Sequence, residues 1–264
     1  MKISCQEHLL PGDTLVEKFE FATSAGWDGI ELRGSGDFQF EARLPELRAA
    51  HKAGVVMPTV CVAMDHFIGD FDADKRKDAV ANLKSQLRVM AELGGRGAMT
   101  PASWAMFSRR LPPFIPPRSE EEDRKVLLEA LHELGDEAQR AGVEIYLEPL
   151  NRYEDHMVNQ LAQAVSLVQE VGLPSVRVVA DFYHMNIEEV DMAASLRAAL
   201  PHLGHVQVSD SNRLEPGAGH IDWRPGIAVL EAGGYTGYLA LESRLSGPAS
   251  EVLPRAAAFL RAQM

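Results

Sequence analysis

The sequence predicts an α/β protein, a (β/α)8 TIM barrel, and three observations predict it. Strand-like and helix-like runs alternate from end to end with no Ser/Gly-rich linker or low-complexity block, the signature of a parallel sheet. The 264 residues match the roughly 250 that eight strand-plus-helix units require. Four residues bearing oxygen acceptors, Glu148, Asp181, Gln207 and Glu242, each close a strand-like run and lie 33, 26 and 35 residues apart, steps of about one such unit. One domain spanning residues 1–264 is expected.

The first strand is read at residues 2–5. A helix capped by Asp13 follows and runs to Ala25, where Gly26 ends it. The second unit has a strand at 29–32 and a helix around 44–53; the third has a strand at 55–62 and a helix at 74–93. In that helix Val80, Leu83, Leu87 and Met90 recur at steps of 3 and 4, which defines a buried face. The fourth strand falls within 94–100, a stretch poor in β-formers that is placed by the helices on either side. Gly94-Gly95-Arg96-Gly97 lacks the Lys-Ser/Thr of a phosphate-binding loop, so no nucleotide site is read there. Residues 101–118 form a long Pro-rich loop with Trp104 and Phe107, either a cap over a pocket or a plain surface excursion.

A helix at 120–141 carries Leu127, Leu131, Leu134 and Ala138 on one stripe, with Gly142 as its terminating residue. The alternation continues with a strand at 143–147, a helix at 159–171, a strand at 176–180 and a helix near 192–200. It ends with a strand at 205–208, a helix near 223–232, a strand at 238–241 and a closing helix to Ala262.

The balance of 38 acidic against 26 basic residues, a formal charge of −12, repels a phosphate backbone, so nucleic acid is not an expected partner. Cys5 and Cys61 form neither a C-x-x-C pair nor a disulfide framework, which fits a reducing compartment and a cytoplasmic location. The first ten residues are too short and polar for a signal sequence, and no run of about 18 apolar residues exists, so no membrane partner is expected.

In such a barrel the strand interiors are packed and the C-terminal strand ends line the active site. The polar clusters of the second half fall there: Glu148-Pro149-Leu150-Asn151-Arg152, Asp181-Phe182-Tyr183-His184, Ser209-Asp210-Ser211-Asn212-Arg213 and Glu242-Ser243-Arg244. A lone strand-end carboxylate is usually a helix cap or a surface charge. Three that converge repel one another unless a cation neutralises them. Carboxylate and amide oxygens are hard donors, which suit Mn2+ or Mg2+, with Co2+ as a further option.

Arg213 either offsets the excess negative charge of three carboxylates around a dication or pairs at the surface with Asp210 or Glu215. His184 donates to a bound molecule or satisfies a buried carbonyl. Glu31 and His66 either line the opposite wall of the pocket or are solvated. Trp104 and Phe107 stack on a ligand or clamp the scaffold, and the run from Gly217 to His220 permits close backbone approach or is simply a turn.

Three segments carry a family resemblance: Glu148-Pro149-Leu150-Asn151-Arg152-Tyr153-Glu154, the stretch from Ala180 to Glu189, and Asp210-Ser211-Asn212-Arg213 with Pro216-Gly217-Ala218-Gly219-His220. In these the chain resembles the xylose-isomerase-like (AP endonuclease family 2) barrel superfamily, and within it the ketose 3-epimerases, including tagatose/psicose and keto-gluconate epimerases. The first half agrees only in its alternation of elements.

The resemblance implies one divalent ion held by Glu148, Asp181, Gln207 and Glu242, with Glu148 and Glu242 also catalytic, and substrate oxygens bound by Glu154, His184 and Arg213. It implies an isomerase of carbohydrate metabolism, an epimerase that inverts a carbon next to the carbonyl of a ketose or keto sugar acid through a metal-stabilised enediolate. One glutamate removes the proton and the other returns it from the far face. Dimers or tetramers are common among such relatives, and the oligomeric state of this chain is left open.

Most such epimerases carry a histidine ligand where this chain has Gln207. His205 lies two residues earlier on the same strand face and is the alternative ligand; Gln207 is favoured for its hard amide oxygen and its position. Hydroxypyruvate-isomerase-like exchange, dehydroshikimate-dehydratase-like elimination and a non-catalytic sugar-acid binder are the competing expectations. An abasic-site endonuclease is disfavoured by the few strand-end histidines and the acidic charge.

Overall fold

The computed structural model describes residues 1–264. Its first half runs β1 (Lys2–Gln6), α1 (Leu15–Ser24), β2 (Gly29–Ser35), α2 (Gln39–Ala42), α3 (Leu44–Lys52), β3 (Thr59–Ala63), α4 (Ala73–Glu92), β4 (Gly97–Pro101) and α5 (Glu120–Ala141). The second half runs β5 (Glu144–Glu148), α6 (Leu161–Val171), β6 (Val176–Asp181), α7 (Phe182–Glu188), α8 (Met192–Ala199), β7 (Leu203–Val208), α9 (Trp223–Ala232), β8 (Tyr238–Leu241) and α10 (Ala249–Gln263). All neighbouring strands pair in parallel and β1 pairs with β8, closing the barrel that the sequence predicts. No helix is long and apolar enough to cross a membrane.

The main apolar core lies between the barrel and its helices, while a smaller group, Cys61, Met99, Tyr146 and Val179, is packed separately. These four share inward parity with Glu31, Glu148, Asp181 and Gln207 in the strand register, so they form the floor beneath a polar mouth. A register shift between Val178 and Val179 brings Val179 opposite His205 and Asp181 opposite Gln207. The residue passed over is Gly204, where a Cβ would stand 2.4 Å from the Tyr146 ring. The bulge and the missing side chain together let Tyr146 stack on His205, with ring centroids 5.8 Å apart.

Several boundaries differ from expectation. Thr14, not Asp13, caps α1: its Oγ1 accepts from Glu17 N, and the Glu17 carboxylate accepts from Asp13 N and Thr14 N. β2 runs to Ser35 rather than Leu32, and β3 begins at Thr59 rather than Val55. α6 begins at Leu161, not Asn159, where Gln163 Oε1 reaches back to accept from Asn159 N and Gln160 N. The short helices α2 and α7 were not foreseen; the side chain of Asp181 caps α7 at Tyr183 N, 2.7 Å away. α5 occupies the expected residues, and Gly142 ends it at φ 75°.

Candidate active site

Glu148 and Asp181 end β5 and β6, Gln207 is the penultimate residue of β7, and Glu242 follows β8. Cross-strand register sets Asp181 opposite Gln207 and Gln207 opposite Ala240, two residues before Glu242. All four therefore point into the barrel at its C-terminal mouth. Two of their atoms, Glu148 Oε1 and Gln207 Oε1, are buried and accept no hydrogen bond.

The crowding of carboxylates perturbs their titration. Burial, with Glu242 and Asp181 adding repulsion, pushes the Glu148 carboxyl well above the usual carboxylate range. Burial raises Glu242 too, although Arg213 opposes the shift. Burial also acts to raise Asp181, but Arg213 and His184 outweigh it and hold the group below its ordinary value. Arg213 bridges the cluster, with Nη1 donating to Asp181 Oδ2 at 2.7 Å and Nη2 standing 3.0 Å from Glu242 Oε2. Its guanidinium lies 4.7 Å from the centre of the Tyr183 ring.

The Arg213 backbone is in the left-handed region at φ 59°, a strain of roughly 1–2 kcal/mol for a residue with a side chain. The strain is held by the turn around Asp210, whose carboxylate accepts from the backbone N–H groups of Ser211, Gly217 and Ile221 and from Trp223 Nε1. The run from Gly217 to His220 brings its backbone close, as one of its two expected readings has it: a Cβ at Gly219 would stand 2.2 Å from Asp210 Oδ1. Arg213 takes neither of its surface alternatives, because Glu215 pairs with Ser246 and Arg255.

One oxygen of Glu148, one of Asp181 and one ring nitrogen of His184 lie within 4.8 Å of one another. His184 Nδ1 accepts the backbone N–H of Asn151 at 3.0 Å. A backbone amide can only donate, so the neutral ring carries its proton on Nε2, which points at Glu148 Oε1 (3.7 Å) and Asp181 Oδ2 (3.8 Å). Burial lowers the His184 pKa and keeps the ring in that neutral form. Glu154 lines the same cavity, its carboxylate held by Asn151 Nδ2 at 2.9 Å and Trp104 Nε1 at 3.2 Å.

Below the mouth, Glu31 is fully buried and its carboxylate accepts from His205 Nε2 and Thr59 Oγ1 at 2.8 Å, and from Gln6 Nε2 and Gln207 Nε2 at 3.1 Å. Burial acts to raise its pKa, but the hydrogen bond and charge of His205, with Gln6 and Thr59, hold Glu31 below its ordinary value and ionised. Glu31 is thus part of the floor rather than the wall. His205 is engaged there and does not reach the cluster above. His66 pairs with Asp78, and Phe107 packs edge-on against His156, so neither lines the cavity.

Sequence reasoning missed Arg33, Gln6 and Cys61, which line the mouth together with Arg244 of the expected Glu242-Ser243-Arg244 cluster. Arg33 lies two residues past Glu31 on the same face of β2, so a strand read three residues longer would have exposed it.

A closed parallel barrel with a polar, oxygen-rich cluster at its C-terminal mouth defines a (β/α)8-barrel enzyme. The chain belongs to the Xylose isomerase-like TIM barrel family, which it matches over residues 19–263. It is 39% identical over 246 residues to a 3-dehydro-D-guloside 4-epimerase of Escherichia coli (strain K12), covering 93% of each chain. It is 36% identical over 232 residues to an L-ribulose 3-epimerase of Methylomonas sp. (strain DH-1), covering 84% of this chain and 76% of the relative. The crystal structure of a 3-keto-D-glucoside 4-epimerase from E. coli superposes with a TM-score of 0.93 at 38% identity, covering 99% of both chains. The expected isomerase class is that of its relatives.

Proposed function

We propose that the chain is a divalent-metal-dependent epimerase that inverts a carbon beside the carbonyl of a ketose or keto sugar, with Glu148, Asp181, Gln207 and Glu242 holding the ion. The observation that carries this is the pair of buried oxygens, on Glu148 and Gln207, that no donor satisfies. Buried acceptors are costly unless paired. A cation between them satisfies both, and the all-oxygen set suits Mn2+, Mg2+ or Co2+. His184 is not assigned as a ligand, because its Nε2 carries the proton and has no lone pair to give. The bond of His205 to Glu31 speaks against it as the ligand and in favour of Gln207.

The bound ion would supply Lewis-acid polarisation of the carbonyl, which acidifies the neighbouring C–H. Glu148 at the end of β5 and Glu242 after β8 approach the cavity from different sides of the barrel. One takes the proton and the other delivers a proton to the opposite face, which inverts the carbon. His184 Nε2–H and Arg213 donate to substrate oxygens, and Glu154 accepts from a hydroxyl. The named relatives support this reading: a 4-epimerase acting beside a 3-carbonyl and a 3-epimerase of a ketose both invert a carbon next to a ketone.

The test is NMR of keto sugars incubated with Mn2+-loaded protein in heavy water. Deuterium at the inverted carbon, with no new alkene or aldehyde, is the expected product pattern. An alkene would show dehydratase-like elimination, an aldehyde would show aldose–ketose exchange, and an unlabelled sugar that stays bound would show a plain binder.

A further inference from the structure

The cavity over the cluster has two lobes. One, of about 300 Å3, lies over Glu148, His184 and Trp104; the other, of about 380 Å3, extends past Tyr183 to Gln6, His8 and Arg244. Arg33, Glu154, Arg213 and Glu242 line both lobes. A sugar whose reacting carbon lies between Glu148 and Glu242 has room to extend its remote end into the second lobe, where Arg33 and Arg244 stand.

These two arginines are exposed, and their guanidinium groups make no hydrogen bond or ion pair. Most nearby carboxylates are already engaged; Asp65, exposed on the rim of the first lobe, is the one that makes no hydrogen bond or ion pair. Glu7 accepts the Arg33 backbone N–H at 2.7 Å, but both of its oxygens are taken by Arg43 at 2.8 Å. Glu154 is held by Asn151 and Trp104, and Glu242 is paired with Arg213. Backbone bonds fix where the free arginines emerge: Arg244 N donates to Arg213 O at 2.9 Å, and Arg33 lies within β2. In a chain of net charge −12, two uncompensated guanidiniums on one cavity run against the average field and focus an anion there.

Building on the site reading above, we infer that Arg33 and Arg244 form an oxyanion subsite, and that the substrate is a keto sugar carrying a carboxylate or phosphate at the end remote from the reacting carbon. The planar guanidinium fork suits either group through paired N–H donors. Charge-assisted bonds of this kind correspond to roughly 10- to 100-fold in affinity.

Isothermal titration of Mn2+-loaded protein with D-fructose, 5-keto-D-gluconate and D-fructose 6-phosphate tests the subsite without requiring turnover. At least one anion is expected to bind about tenfold or more tighter than fructose, and the anion that does so identifies the group. The gap should close in Arg33→Met/Arg244→Met and shrink with added salt in the unaltered protein, a second measurement that needs no variant. Equal binding of all three sugars, binding of none, or a gap that survives the double substitution overturns the subsite. Deuterium exchange in the same samples reports separately on the epimerase chemistry.

Discussion

Gln207 donates Nε2 to Glu31 Oε2 at 3.1 Å, and this bond settles which way its amide faces. A carboxylate only accepts, so the NH2 must turn down toward Glu31, and Oε1 is left facing the acidic cluster with no donor of its own. On the proposed reading, that oxygen is the one Gln207 offers to the cation. Glu31→Gln removes that constraint and lets the amide turn over. The expected result is a loss of roughly 10- to 100-fold in Mn2+ affinity by calorimetry, the usual effect of removing a group that orients a ligand. Unchanged affinity would separate Glu31 from the site.

Glu148→Gln and Glu242→Gln each remove one of the two carboxylates assigned to proton transfer. Each is expected to lower α-proton exchange with heavy water by about 10²- to 10⁴-fold, measured by NMR on metal-saturated protein. Either variant retaining full exchange would remove its residue from the chemistry.

Arg213 offsets the charge of Asp181 and Glu242, so its loss matters most when no cation is bound. Removing one partner of a buried ion pair costs roughly 3–5 kcal/mol, which in a chain of this size lowers Tm by about 5 °C or more. Arg213→Met should show that drop after chelation and a smaller one with Mn2+, read by thermal unfolding in both conditions.

The loop between β4 and α5 is anchored by Asp123, whose carboxylate accepts from Arg118 Nε at 2.6 Å and lies 3.1 Å from His156 Nε2. Burial acts to raise its pKa, but His156 and Arg118 outweigh it and hold Asp123 below its ordinary 3.8. A depressed carboxyl contributes stability that is complete above the unfolded value of 3.8 and is lost as pH falls through the lower folded value. Asp123→Asn should therefore destabilise the protein at neutral pH and flatten the fall in Tm between pH 5 and about 3, followed by calorimetry.

The barrel was legible because hydrophobic periodicity and Gly caps such as Gly142 are local signals. The four-residue cluster was legible because it recurs at the spacing of one barrel unit. Glu31 was legible as a polar oddity but not in its place: a lone Glu in a strand does not reveal that His205, Thr59, Gln6 and Gln207, far apart in sequence, all donate to it. Arg33 was lost with the three-residue error in β2, and the cap of α1 was misassigned because Asp13 and Thr14 are both good cap residues. The β6–β7 bulge at Gly204 carries no sequence pattern beyond a glycine in a strand, yet it sets which residues of β7 face the mouth.

The central claim is a divalent ion held by oxygens of Glu148, Asp181, Gln207 and Glu242, and anomalous diffraction at the manganese edge from Mn2+-loaded crystals tests it most directly. The account predicts one strong peak within about 2.0–2.4 Å of an oxygen from each of the four, with His184 Nε2 outside the coordination shell. A peak coordinated by His184 or His205, or no peak among the four residues, would contradict it.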